Sequence, residues 1–133
     1  MYRNDESTRR IWDQLSFADV MWHSPDAVIL TSADLALPGP RILYANPAFC
    51  QMTGYSVDEL VGQTPRILQG AETDPSVLKA LRESLKRKET FVGSTINYRK
   101  DGSPYQVEWN ITHVLDETKN TEYYVSIQRV VNA

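Results

Sequence analysis

Gly62–Gly70 reads GQTPRILQG, and the chain's organisation is clearest when read outward from it. Pro65 has no backbone N–H and holds Thr64 extended, so a short helix here must either begin differently or place Pro65 in its first turn. Upstream, Ser56 opens SVDEL, a capping box with Glu59 that predicts a short helix to about Val61. Before it, Asn46 is an N-cap with Pro47 at the first helical position, and Gly54 is the stop. Downstream, Asp74 and Pro75 start a longer helix to about Lys86, with Val77, Leu78, Leu81 and Leu85 on its buried side. Lys79, Lys86, Arg87 and Lys88 read as its solvated face.

Strand signals lie on both sides of this helical middle. Asp26–Thr31 (DAVILT) is short and β-rich, Ser32–Pro40 is a loop punctuated by Pro38, Gly39 and Pro40, and Arg41–Ala45 is a second strand. Two more strands meet at the turn signal Lys100, Asp101, Gly102, and a last one follows a turn around Glu117–Asn120. The order predicts an α+β fold: a five-stranded antiparallel sheet, short helices on one face and an N-terminal amphipathic helix. That helix is expected over Ser7–Trp22, capped by Ser7 or Thr8, with Ile11, Leu15, Ala18 and Trp22 at helical spacing and Trp12 and Met21 widening the stripe. The division is residues 1–24 as a helical cap and 25–131 as the core domain.

Period-two alternation places the strand side chains. Asn97 shares a face with Thr95 and Gly93; Val107, Trp109 and Ile111 form one apolar face; Tyr124, Ser126 and Gln128 form another. An amide on an apolar face costs about 1–3 kcal/mol unless it is hydrogen-bonded. Were Asn97 and Gln128 to face inward, they would call for a polar ligand edge.

Composition narrows the function. The chain has 133 residues, one domain's length, and a net charge of −3, so there is no electrostatic footprint for nucleic acid or an anionic membrane. No apolar run approaches the ~18 residues of a membrane span, and MYRNDESTRR is no signal peptide. A single cysteine, Cys50, excludes an internal disulfide and fits a cytoplasmic location. Two histidines, His23 and His113, and no Cys/His cluster argue against a metal site. No nucleophile, base and orienting group fall together, so the chain is not expected to be an enzyme.

The motifs together resemble the light-oxygen-voltage (LOV) branch of the PAS sensory domains. LOV domains read GxNCRFLQG where this chain has Gly62–Gly70, and Pro65 stands in the place of the cysteine that bonds to photoexcited flavin. NPAFCQMTGY (Asn46–Tyr55), NYRKDG (Asn97–Gly102) and YVSIQ (Tyr124–Gln128) resemble further PAS segments, so the likeness covers about residues 26–130. It implies a flavin pocket built from Thr31, Thr64, Arg66, Leu68, Gln69, Arg82, Asn97, Val107, Trp109 and Gln128. In it Arg66 and Arg82 hold the phosphate, Gln69 reaches the ribityl chain, and Asn97 and Gln128 read the ring's polar edge. Without the insertion near Gln69–Asp74 that accommodates FAD, the cofactor implied is FMN, with FAD or no cofactor as the alternatives.

Departures from the LOV pattern shape the expected chemistry. Val107 stands for a second ring-binding asparagine, Thr64 for the asparagine before the cysteine, Trp109 for a phenylalanine and Ser126 for a glycine, which predicts a tighter cavity. Without the cysteine, a blue-light or redox response would run through electron uptake by the flavin, with Trp109, Tyr124 and Tyr98 as donors. Cys50, otherwise a small buried hydrophobe, is the alternative thiol. Gln128 could exchange the amide end it presents and so alter the last strand. A homodimer through Ile11, Trp12 and Leu15 or through the sheet is the expected association, because PAS-like domains pair through helices outside the core; the output partner is not named by the sequence. Two other readings stand beside the flavin sensor: a cofactor-free PAS interaction module, its cavity filled by Trp109 and Ile111, and a site for another small ligand or haem. Haem would want a histidine on the long helix, where neither His23 nor His113 lies.

Overall fold

The computed structural model describes residues 16–116, 118 and 120–131. Five antiparallel strands, β1 (Ala27–Ser32), β2 (Ile42–Ala45), β3 (Phe91–Tyr98), β4 (Pro104–Asp116) and β5 (Thr121–Val130), form one sheet in the order β2-β1-β5-β4-β3. Among the described residues, helices α1 (Phe17–Trp22), α2 (Pro47–Thr53), α3 (Val57–Leu60) and α4 (Pro75–Lys86) and a 3₁₀ turn at Pro65–Leu68 accompany it. This is the expected α+β arrangement. β5, the last strand in sequence, lies at the centre.

The helix boundaries follow from the side chains foreseen for them. Asn46 caps α2, its side chain accepting from Phe49 N, and Gly54 ends the helix at φ 81°, where other residues are strained. Ser56 and Glu59 form the capping box of α3, and Asp74 accepts from Ser76 N ahead of Pro75 in α4. Asn46 does more than cap. Fully buried, its Oδ1 accepts from Val28 N (2.9 Å) and Phe49 N (3.0 Å), while Nδ2 donates to Met21 O and Asp26 O (both 2.8 Å), fastening α1, β1 and α2 together.

The N-terminal helix differs from expectation. Ser16 is extended (φ −97°, ψ 166°) and forms a capping box with Asp19, so α1 begins at Phe17 and no continuous helix runs through this point. Two side-chain partners for the helix ends outcompete propagation. α1 buries no residue fully; Phe17 packs edge-on against Tyr44 at 5.4 Å and Trp22 stays largely exposed. Ile11, Trp12 and Leu15, the expected dimer contacts, lie outside the described residues, as do Ser7 and Thr8.

The inner face of the sheet is a set of cross-strand rows. Ala27, Gln128, Trp109 and Gly93 form one, Ile29, Ser126, Ile111 and Phe91 the next, and Tyr105 faces Asn97. Two apolar clusters cover the face. Ala27, Ile29, Ile42 and Ala45 meet Phe49, Leu60 and Leu68. Tyr105, Val107, Trp109, Ile111 and Tyr124 meet Leu85, with Val77, Leu78 and Leu81 partly buried beside them. Phe49 is fully buried, so truncating it to alanine would cost roughly 3–5 kcal/mol. Between the clusters the face is left uncovered.

Candidate functional site

The uncovered inner face is the floor of a cavity of about 550 Å³, roofed by α4 and the 3₁₀ turn. This lies within the roughly 300–1,000 Å³ typical of small-molecule sites. Ile29, Leu68, Leu78, Leu81, Leu85 and Ile111 make most of it apolar, and Thr31, Thr64, Asn97, Ser126 and Gln128 supply polar groups. Trp109 is a wall and does not fill the space; it packs beside Phe91, ring centroids 6.3 Å apart.

The loop after the 3₁₀ turn fixes the roof, and sequence reasoning missed how. Tyr98 lies so close over Gly70 that a Cβ there would collide with its ring, and its hydroxyl accepts from Glu72 N at 2.9 Å. Thr73 Oγ1 accepts from Gly70 N (3.0 Å) and donates to Ile96 O (2.6 Å), while Asp74 N donates to Thr95 Oγ1 (2.8 Å). These bonds zip residues 70–74 to β3 and set α4 over the cavity. Tyr98, being committed here, does not line the cavity.

Among the described residues, Asn97 and Gln128 are the cavity-lining polar residues with unmet demands. They are 3% and 5% exposed, yet Asn97 Oδ1 and Gln128 Oε1 are buried without a hydrogen-bond partner. Gln128 Nε2 donates to Ser126 Oγ at 3.0 Å, which occupies one end of that amide. Buried polar atoms are nearly always paired in folded proteins, and those left over mark places where another molecule completes the set. Both residues line the cavity.

Positive charge collects at the mouth. Arg66, from the 3₁₀ turn, and Arg82 and Lys79, from α4, line the opening and are exposed, with no ion-pair partner among the described residues. Lys79, read as part of the solvated face, is exposed and also lines the cavity. Its spacing of three from Arg82 carried the signal, since i and i+3 are helix neighbours. Lys88 faces elsewhere and pairs with Glu122 at 2.8 Å. Gln69 also lines the mouth and is exposed.

Other expected site residues fall differently. Pro65 opens the 3₁₀ turn and lines the cavity, with Thr64 extended before it. Val107 is fully buried in the β4 cluster and is not part of the cavity wall, because Trp109 and Tyr105 flank it on the same face. Cys50 is half-buried against the Phe49 cluster and also lies off the wall; burial pushes its thiol pKa up, away from reactive thiolate character. Tyr124 lines the cavity, its hydroxyl donating to Leu85 O at 3.4 Å, and stacks edge-on with His113 at 5.9 Å. Burial raises the phenols of Tyr124 and Tyr105, the latter to about 12. Among the described residues no group of three His, Cys, Asp or Glu could hold a metal ion, and no helix is long and apolar enough to cross a membrane.

A family model described as PAS domain matches residues 25–129. A nitrogen fixation regulatory protein of Klebsiella oxytoca is 38% identical over 92 residues, covering 69% of this chain and 19% of that protein. A blue-light-activated histidine kinase 1 of Erythrobacter litoralis is 44% identical over 77 residues, covering 58% of this chain and 21% of the kinase. The chain thus spans about a fifth of these relatives. A solved structure from work with a flavin analogue on the light-oxygen-voltage domain mechanism superposes with a TM-score of 0.77 at 30% identity, covering 90% of this chain and 87% of that one.

Proposed function

The chain belongs to the PAS domain family, and we propose that it is a sensory module that holds FMN in the cavity and responds to blue light or redox state through electron uptake, without a bond to cysteine. The observation that carries this reading is the pair of orphaned amide oxygens, Asn97 Oδ1 and Gln128 Oε1, on residues that line a cavity otherwise largely apolar. A ring with one hydrogen-bonding edge and one apolar edge suits that distribution. The similarity to a LOV structure studied with a flavin analogue and to a blue-light-activated kinase points to the same class of ligand.

When bound, a flavin supplies blue-light absorption and reversible electron uptake. Asn97 and Gln128 would hold its polar edge, while Leu68, Leu78, Leu81 and Ile111 exclude water around the rest. Arg66, Arg82 and Lys79 suit a phosphate at the mouth. FMN is favoured over FAD because residues 70–74 are short and bonded to β3, leaving no added segment to house a second nucleotide. Trp109 and Tyr124 are the electron donors in the wall, and the Tyr124 phenol, its pKa raised by burial, keeps its proton at neutral pH. Pro65 offers no thiol, and the chain's one cysteine is not on the wall.

Signal output would start at Gln128. Its amide can exchange the Ser126 contact for a ligand contact, and it sits on β5, hydrogen-bonded to both β1 and β4. A change there reaches both halves of the sheet. The test is the absorption spectrum of the purified protein before and after blue light, followed by release and identification of any cofactor. A yellow protein releasing FMN is expected. A colourless protein that takes up no added FMN would overturn the reading in favour of a cofactor-free interaction module.

A further inference from the structure

Tyr105 is the third residue with an orphaned polar atom, and it stands directly across the β3–β4 hairpin from Asn97. Tyr105 is 5% exposed and its hydroxyl has no partner; Asn97 Oδ1, in the facing residue, has none either. The two shortfalls are complementary, because a phenol has a proton to give and an amide oxygen has lone pairs to receive it. Of the inward residues of β4, namely Tyr105, Val107, Trp109 and Ile111, only Tyr105 carries an oxygen.

The ring is held from the other side. The Arg99 guanidinium lies 4.7 Å from the Tyr105 ring centroid, and its own position is fixed by bonds from Nε to Met52 O (3.1 Å) and from Nη1 to Ser103 Oγ (3.3 Å). The Asn97 amide lies within reach of this hydroxyl, lowering the phenol's pKa against the larger effect of burial as an N–H facing its oxygen does, and a half-turn of that amide would bring Oδ1 to the hydroxyl. The wall position opposite Tyr105 is thereby decided by one contact.

We propose that Tyr105 is a positioning residue for the cavity: its O–H donates to Asn97 Oδ1, committing Nδ2 to the cavity, so that this wall presents a donor and selects a ligand carbonyl. The ligand's identity as a flavin rests on the function proposed above, whereas the Tyr105–Asn97 bond does not. The role follows from the two orphaned atoms.

The test is Tyr105→Phe, which keeps the ring and its contact with Arg99. In FMN titrations the variant should bind roughly fivefold more weakly, the scale of one neutral hydrogen bond, with a shifted blue absorption band. Adding Asn97→Ala to it should cost less than Asn97→Ala costs alone, since the two act through one contact. Wild-type affinity and spectrum in Tyr105→Phe, or strictly additive losses, would overturn the proposal. Should the wild type take up no FMN, the flavin reading fails by itself and the bond is read by NMR in the ligand-free protein. There the Asn97 side-chain amide signals should move in Tyr105→Phe while the backbone spectrum is kept; unmoved signals count against the bond. In the wild type a slowly exchanging Tyr105 hydroxyl proton with a nuclear Overhauser contact to Asn97 is expected even if the variant does not fold, and its absence also overturns the proposal.

Discussion

Gln128 Nε2 donates to Ser126 Oγ over 3.0 Å along the inner face of β5, an internal bond that leaves Oε1 of the same amide buried and unpaired. An amide half-satisfied in this way destabilises the ligand-free fold and is completed only by something else in the cavity. Gln128→Leu removes the unmet demand with little change of volume. The ligand-free variant should therefore be as stable as wild type or more so by urea denaturation, while FMN binding weakens by about 1–3 kcal/mol. A variant that loses stability without losing affinity would show Gln128 to be structural.

The three cations at the mouth predict selectivity for the phosphorylated cofactor. Arg66→Ala and Arg82→Ala should each weaken FMN roughly tenfold, as the loss of a charge-assisted pair does, and Lys79→Ala somewhat less. Riboflavin, which has no phosphate, should bind all three variants as it binds wild type. Added salt should weaken FMN and spare riboflavin. Equal losses for both ligands would mean that the substitutions act on the roof and not on the phosphate.

Much of this site could be read from periodicity and caps, and what could not has identifiable physical causes. The alternation in β3, β4 and β5 sorted each strand's residues by face and the LOV resemblance turned Asn97, Trp109 and Gln128 inward, where they lie, because a sheet with one covered face fixes register strongly. Asn46, Ser56 and Asp74 marked their helices for the same reason of local chemistry. Val107 shares the alternation and yet misses the cavity, since period alone does not say where along a face the covering helices stop. Lys79 was hidden among the charges of α4. Ser16 was missed because a serine inside an apolar stripe reads as tolerated until its partner Asp19 is seen to close the capping box. Tyr105 carried a visible signal: counting back from the Lys100–Gly102 turn sets it opposite Asn97.

Tyr105 also predicts alkaline behaviour. Its folded pKa is raised by burial from 10.0 to about 12, so the folded state holds the phenol proton more tightly than the unfolded chain does. The stability this represents is fully present below pH 10 and is lost as pH rises from 10 to 12, on the order of 2–3 kcal/mol. Urea midpoints measured across that window should fall less steeply in Tyr105→Phe than in wild type. Parallel curves would assign the alkaline loss to other groups.

Pro65 gives the most direct test of the chemistry, because it lines the cavity at the head of the 3₁₀ turn while the chain's one thiol does not. Blue light should therefore produce no thiol-dependent reversible bleaching in the FMN-loaded wild type, and Cys50→Ala should change nothing. Pro65→Cys places a sulfur on the wall and restores a backbone N–H where the turn begins. It should confer bleaching near the blue absorption band that recovers in the dark, with or without Cys50. Bleaching in the wild type that vanishes in Cys50→Ala would mean that Cys50 reaches the ligand after all. A Pro65→Cys protein that binds FMN and stays unbleached would mean that the ring lies away from the 3₁₀ turn, nearer the Tyr105–Asn97 end of the sheet.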